Sequence, residues 1–194
     1  MTEAPSTRIA PLSIEEASPE IREAFEVNQA YYGEVLNAVA VTARHPEVFR
    51  AYWDFEAGLL KARRTEKSLR SLIMLKVATH LGCAFCIDIG SFLGTEREGV
   101  TERQILELPD FRTSDAFSPR ERLALEYALA MSGTRAEVDD ALFEALHAEF
   151  TEEQIVEITA IAAWENYRGR FNRAVGLQAH GFTANSVCAL PEVE

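Results

Sequence analysis

Cysteine is scarce in this 194-residue sequence: there are only three, alongside seven prolines and ten glycines. Small secreted proteins that are held together by disulfides need a dense and even set of cysteines, so this class is excluded. Two of the three cysteines, Cys83 and Cys86, lie three residues apart, whereas Cys188 is far from both. One close pair in a reducing compartment indicates redox chemistry or metal binding.

Long apolar runs are also missing. No stretch approaches the ~20 residues that a membrane-spanning helix needs. The first residues, MTEAPSTRIAPLSIEE, have neither the basic region nor the apolar stretch of a signal peptide. We therefore expect a cytoplasmic protein that does not bind membranes.

Basic residues are outnumbered, with 19 Lys and Arg against 31 Asp and Glu, which gives a formal net charge of −12. A net negative charge repels the phosphates of nucleic acids. The sequence therefore predicts no nucleic-acid partner.

Strand patterns are absent, and helix-start signals recur. Ser18-Pro19 and Ser118-Pro119 each offer an N-cap followed by proline at the first helical position. Capping boxes, with a hydroxyl three residues before Glu or Gln, are predicted at Ser13, Thr101, Ser118, Thr134 and Thr151. The predicted helices are 18–31, 33–44, 46–62, 66–81, 83–94, 101–108, 118–133, 136–149 and 151–176. The chain is thus predicted to be all-α.

The predicted domain organisation is simple, because no linker is rich enough in Gly, Ser or Pro to separate independent domains. Residues 1–12 are predicted to be an N-terminal arm and 183–194 a C-terminal tail. A single helical domain is expected between them, over 13–182. Its core motif is placed at about 35–110 and its C-terminal helical half at about 118–182.

The stretch LGCAFCIDIGSF places the cysteine pair at a helix start. Gly82 is typical of the residue just past a helix end, so Cys83 is expected to begin a central helix that also carries Cys86. Free N–H groups and the helix dipole at that end lower the pKa of a cysteine thiol. This favours Cys83 as the attacking sulfur and Cys86 as the resolving one. A metal clip and a pair of buried apolar side chains remain open as alternatives.

The metal alternative needs more ligands than the pair itself. His80, Cys83 and Cys86 would supply three, with Cys188 or Asp88 as a fourth. Structural zinc sites usually contain a second close pair of ligands, which this sequence lacks. We therefore predict no metal.

Three stretches carry a resemblance to a known family: SLIMLKVATHLG running into CAFC, TARHPEVFRAYWDFEAGLL before it, and FTEEQIVEITAIAAWENYRGRFNRAVG after it. Over roughly residues 35 to 182 the chain resembles the alkylhydroperoxidase D-like proteins, also called the carboxymuconolactone decarboxylase family. The resemblance implies a multi-helical fold, homo-oligomers, no bound cofactor, and a CxxC that cycles between dithiol and disulfide. The peroxidase branch reduces hydroperoxides with electrons from an external dithiol, such as a lipoyl-bearing protein. Another branch contains cofactor-free decarboxylases.

This chain departs from the peroxidase branch at two positions. The family's proton-relay histidine, four residues after the second cysteine, is replaced by Gly90, and its glutamate, twelve before the first, is replaced by Ser71. Neither replacement is a general base near neutral pH. The local substitutes are His80, which would accept a proton from Cys83, and Asp88, which would orient it.

The resulting functional expectation is a thiol-dependent oxidoreductase, a peroxidase or disulfide reductase, with Cys83, Cys86, His80 and Asp88 as catalytic residues. Its partners would be a small hydroperoxide or similar substrate and an external dithiol. The alternatives are a cofactor-free decarboxylase-like lyase and a non-catalytic scaffold that is redox-sensing or zinc-clipped.

Overall fold

The computed structural model describes residues 7–192, and this part of the chain is helical with no β-strand. Its nine α-helices are α1 (Pro19–Tyr32), α2 (Asn37–Thr42), α3 (Pro46–Lys61), α4 (Lys67–Leu81), α5 (Ala84–Leu93), α6 (Glu102–Leu106), α7 (Pro119–Ala130), α8 (Asp140–Glu149) and α9 (Glu152–Ala174). A π-helical turn follows α5 at Gly94–Glu98, and a 3₁₀ turn lies at Leu108–Asp110. The all-α prediction is confirmed. No helix within the described range has both the length and the apolar character needed to cross a membrane.

Local capping chemistry explains where several helices begin. Reciprocal side-chain and backbone hydrogen bonds form at the start of α6, between Thr101 and Gln104, and at the start of α7, between Ser118 and Glu121. Thr151 and Gln154 make the same pair of bonds before α9, at 3.1 and 3.3 Å. Each box satisfies backbone N–H groups that a helix end leaves unpaired.

Two predicted helix starts were wrong. The second helix begins at Asn37 rather than at residue 33, because Gly33 has φ of 87° and ends α1 in the left-handed conformation. The eighth begins at Asp140 rather than at 136. Its cap is Asp139, whose carboxylate accepts the N–H of Leu142 at 2.8 Å, and the predicted box at Thr134 does not start a helix.

The chain packs as two compact units. Residues 7–61, with Ala174–Gln178, form the first, and Ala62–Arg173, with residues 179–192, form the second. The domain boundaries expected at residues 12 and 182 stay predictions. The first six residues of the predicted arm and the last two of the predicted tail lie outside the described residues.

In the first unit, the chain before α1 is held against α2. The N–H of Leu12 donates to the carbonyl of Ala40 at 3.0 Å, and the guanidinium of Arg44 donates to the carbonyl of Pro11 at 3.0 Å. α1 and α3 are joined by a two-point ion pair, in which Arg50 donates to both carboxylate oxygens of Glu20 at 2.9 and 2.7 Å. This pair is exposed to solvent, so it contributes little to stability.

In the second unit, α4 is the central helix and packs against α5 and α7. Leu72, Ile73, Leu75 and Val77 are completely or almost completely buried, so α4 is apolar on most sides, as the sequence indicates. Burying each such side chain stabilises the fold by about 1.5–3 kcal/mol. This buried helix leads directly into the cysteine pair.

Residues 179–192, which follow α9 and belong to the second unit, are irregular and pack on α4 and α5. The N–H of Ala189 donates to Oγ of Ser91 at 3.0 Å, and Ala189 itself is buried. The N–H of Glu192 donates to the carbonyl of Thr79, near the end of α4, at 3.1 Å. The described part of the predicted tail thus covers the two helices that meet at the cysteines.

Candidate functional site

The cysteine pair lies at the junction of α4 and α5. Gly82 adopts φ of 62°, which ends α4 in the left-handed conformation that glycine tolerates. Cys83 then becomes the N-cap of α5, and its sulfur accepts the N–H of Cys86 at 3.3 Å. The two cysteines form a disulfide, with their Cα atoms 5.3 Å apart. Cys83 is 0% exposed, whereas Cys86 is 7% exposed.

One turn of α9 packs against this junction. The side-chain amide of Asn172 donates to the sulfur of Cys86 at 3.4 Å, and the guanidinium of Arg173 donates to the carbonyl of Leu81. A β-carbon added at Gly169 would lie 2.6 Å from Cδ1 of Leu81, so glycine lets α9 approach closely. Asn172 is not among the site residues predicted from the sequence, because 86 residues separate it from Cys86.

The carboxylate of Asp88 accepts hydrogen bonds from residues 180–183, which follow α9. One carboxylate oxygen accepts the N–H groups of His180, Gly181 and Phe182 at 2.8–3.1 Å. The other accepts the N–H and the hydroxyl of Thr183 at 2.9 and 2.6 Å. Burial alone would raise the pKa of Asp88, but these hydrogen bonds outweigh it, so the pKa lies below its ordinary value.

The geometry of α5 explains this arrangement. Residues two apart point to opposite sides of a helix, so Asp88 faces away from Cys86. On the side of Asp88, the ring of Phe85 meets that of His180 at 5.4 Å, and the rings of Phe92 and Phe182 stack at 5.4 Å. The expectation that Asp88 orients His80 has to be corrected.

The carboxylate that contacts His80 is Glu192, whose Oε2 lies 2.8 Å from Nδ1 of the imidazole. Its Oε1 pairs with the ammonium of Lys76 at 2.6 Å. Lys76 is 1% exposed and also donates to the carbonyl of Leu108 at 3.3 Å. Burial tends to raise the pKa of Glu192, but its hydrogen bonds to Lys76 and His80 hold it below the ordinary value. His80 thus lies at the end of α4 with a carboxylate partner different from the expected one.

The two positions that replace the family's relay residues are both in packed surroundings. Ser71 is buried in α4. Gly90 lies on the same side of α5 as Cys86, four residues further along. A β-carbon there would lie 3.4 Å from Cδ1 of the buried Leu75, so a side chain at this position would pack against Leu75.

The ligand set proposed for a metal is not assembled. Between residues 7 and 192, no three His, Cys, Asp or Glu side chains come close enough together to hold a metal ion. Cys188 is a free, half-buried thiol in the segment after α9.

Comparison with known proteins places this chain in a family. Residues 46–130 match the carboxymuconolactone decarboxylase family. The uncharacterized protein YnjA of Escherichia coli (strain K12) is 38% identical over 168 residues, which cover 86% of this chain and 88% of that protein. The uncharacterized protein YdfG of Bacillus subtilis (strain 168) is 30% identical over 135 residues, covering 69% and 90%.

Solved structures agree with this placement. The debrominase Bmp8 in its apo form superimposes with a TM-score of 0.81 at 25% identity, covering 91% of this chain and 94% of that one. An alkylhydroperoxidase AhpD core protein, an uncharacterized peroxidase-related protein from Ralstonia eutropha JMP134, gives a TM-score of 0.80 at 26% identity, covering 92% and 95%. This chain belongs to the carboxymuconolactone decarboxylase family and has the alkylhydroperoxidase D-like fold.

Proposed function

We propose that this chain is a dithiol–disulfide oxidoreductase in which Cys83 and Cys86 reduce a hydroperoxide or a partner disulfide. The observation that carries the proposal is the pair itself, which is buried at a helix start and bonded as a disulfide. Each sulfur also accepts an N–H hydrogen bond, from the backbone of Cys86 or from the amide of Asn172. Such donors stabilise thiolates, which are the reactive form of cysteine.

The difference in exposure favours an order of reaction opposite to the one expected from the sequence. Cys83 is fully buried, so an incoming thiolate meets the sulfur of Cys86 first. In the reductive half of the cycle, a thiolate of the external dithiol bonds to Cys86, and the S–S bond breaks. Cys83 leaves as a thiolate that the helix start stabilises, and a stabilised leaving group departs faster. The second thiol of the reductant then releases Cys86 and closes its own disulfide.

The oxidative half uses the same roles. The thiolate of Cys86 attacks one oxygen of the hydroperoxide, the O–O bond breaks, and the alcohol leaves after taking up a proton. Cys86 is then a sulfenic acid, which the thiolate of Cys83 attacks to form the disulfide and release water. The net reaction converts a hydroperoxide and a dithiol into an alcohol, water and a disulfide.

Of the other two residues predicted to be catalytic, the proposal keeps His80 and gives Asp88 a structural role. His80 is kept as the acceptor of the proton of Cys83, with Glu192 as the carboxylate that orients it. Asp88 becomes an anchor for residues 180–183 rather than a catalytic group. Unchanged peroxide turnover in a His80→Ala variant would remove His80 from the mechanism.

The proposed partners are a small hydroperoxide or similar substrate and an external dithiol, such as a lipoyl-bearing protein. We also propose that the chain forms homo-oligomers and that it needs no bound cofactor. Exposed apolar side chains on α1 and α3, among them Val27, Tyr31 and Phe55, are consistent with contacts between copies.

A second candidate is reductive dehalogenation, favoured by the likeness to a debrominase. A dithiol also supplies the two electrons that this reaction needs. An aryl bromide and two thiols would give the arene, hydrogen bromide and a disulfide. The same cysteine pair would therefore serve either substrate class.

A substrate panel tests the proposed function. We expect the protein, supplied with dihydrolipoamide, to oxidise one dithiol for each tert-butyl hydroperoxide or aryl bromide that it consumes. Reductant oxidation and product formation are measured together, so that their ratio is known. Full activity on a muconolactone acid in a double Cys83→Ser, Cys86→Ser variant, without thiol turnover in the parent, would instead identify a lyase.

A further inference from the structure

We propose that Asn172 is a catalytic residue of this thiol cycle. Its side-chain amide would stabilise the thiolate of Cys86 in a chain that lacks the family's relay residues at positions 71 and 90. The inference rests on the proposed function, because it assigns a role to a residue at the same cysteine pair.

The contact between the two side chains is direct and buried. The amide nitrogen of Asn172 lies 3.4 Å from the sulfur of Cys86, and Asn172 is 4% exposed. Hydrogen bonds to charged acceptors are stronger than those to neutral ones, so the contact gains strength when Cys86 is ionised. A donor that favours the charged form lowers the pKa of the thiol. Exclusion of water from the site strengthens the effect.

The position of Asn172 is fixed by its neighbours on α9. Three residues earlier, Gly169 allows the close approach to Leu81 at the end of α4. One residue later, Arg173 donates to the carbonyl of Leu81 and lies beside Gly82. The same helical turn therefore holds the residue before the cysteine pair and contacts the second cysteine. The packing of α9 against the end of α4 thus holds the amide of Asn172 next to the sulfur of Cys86.

The charged groups of the surrounding helices are engaged elsewhere. On α4, Lys76 and His80 both contact Glu192. On α5, Asp88 accepts its hydrogen bonds from residues 180–183. On α9, Arg173 is directed to a backbone carbonyl, and Arg168 pairs with Glu165. The side-chain donor that the structure places on Cys86 is neutral, so it stabilises the thiolate without taking up the proton, which passes to solvent.

The pH dependence of alkylation tests this role. Cys86 is made the only thiol by Cys83→Ser and Cys188→Ser, and its rate of reaction with iodoacetamide is followed from pH 5 to 10. We expect Asn172→Leu to raise the pKa of Cys86 by about one unit. At pH 7 the rate should fall only about threefold, because a more basic thiolate is also a better nucleophile. The isosteric Asn172→Asp should raise the pKa further by placing a like charge beside the sulfur.

A matched control lies on the same helix. Asn166 donates to Oγ of Ser132 and to the carbonyl of Ala162 rather than to a cysteine. Asn166→Leu should therefore leave the pKa of Cys86 unchanged, while circular dichroism checks that all variants are equally helical. An unshifted pKa in Asn172→Leu, or an equal shift in Asn166→Leu, would overturn the assignment even if the unmodified protein turns over substrate. A clear shift in a protein that turns over neither hydroperoxide nor disulfide would uphold the contact and overturn the proposed function.

Discussion

Replacing Cys86 by serine should reduce turnover of a hydroperoxide or disulfide by on the order of a thousandfold or more, because it removes the sulfur that exchanges with the external reactants. Cys83→Ser should also stop the cycle, but at a later step. Cys86 would still react, and its oxidised form would accumulate because no second thiol resolves it. Mass spectrometry should then find a mixed disulfide or a trapped sulfenic acid on Cys86 in the Cys83→Ser variant.

The two single variants also decide the order of attack. A trapped species on Cys83 in the Cys86→Ser variant, with none on Cys86 in the reciprocal variant, would restore the order expected from the sequence. Cys188→Ser is the matched control, since this thiol is free and takes no part in the disulfide. It should leave turnover unchanged.

Asp88→Ala should lower the free energy of unfolding by about 3 kcal/mol, the largest effect expected for a single change outside the apolar core. The variant leaves four backbone N–H groups of residues 180–183 without their acceptor. Water can replace part of the lost bonding, because these residues are only partly buried, and this limits the cost. Urea unfolding measures the change, and limited proteolysis should show new cleavage near residues 180–183. Asp110→Ala, at an exposed aspartate, is the control and should change stability little.

The contribution of Asp88 to the free energy of unfolding should decrease in acidic solution. Its folded pKa lies below the unfolded value, so its contribution is present above about pH 4 and is lost as the pH falls through the folded pKa. The stability difference between the unmodified protein and Asp88→Asn should therefore be constant from pH 5 to 8 and shrink in more acidic solution. A difference that grows on acidification would contradict the hydrogen-bonding scheme.

Local signals in the sequence were sufficient for most of the helices. Ser118 and Thr101 form the reciprocal caps that their spacing indicates, and Gly82 ends α4 as expected. These features succeed because each depends on residues within one helical turn. The error at residue 33 arose because Gly33 ends one helix and does not start the next.

The long-range contacts of the site had no such local signal. Asp88 and its partners are more than 90 residues apart, as are Thr79 and Glu192. The position of Asp88 was nonetheless open to prediction from helical geometry, which puts its side chain on the side of α5 opposite Cys86 and so argues against a role at the cysteines. The contact of Asn172 with Cys86, by contrast, depends on how α9 packs, which the sequence pattern does not reveal.

The central claim is that Cys83 and Cys86 form a working redox pair, and its most direct test is the midpoint potential of the pair. The protein is equilibrated in glutathione or dithiothreitol buffers of known potential, and free thiols are then alkylated and counted by mass spectrometry. We predict one reversible two-electron transition at about −200 to −300 mV, within reach of biological dithiols. A pair that stays fully reduced or fully oxidised across all the buffers would contradict the account.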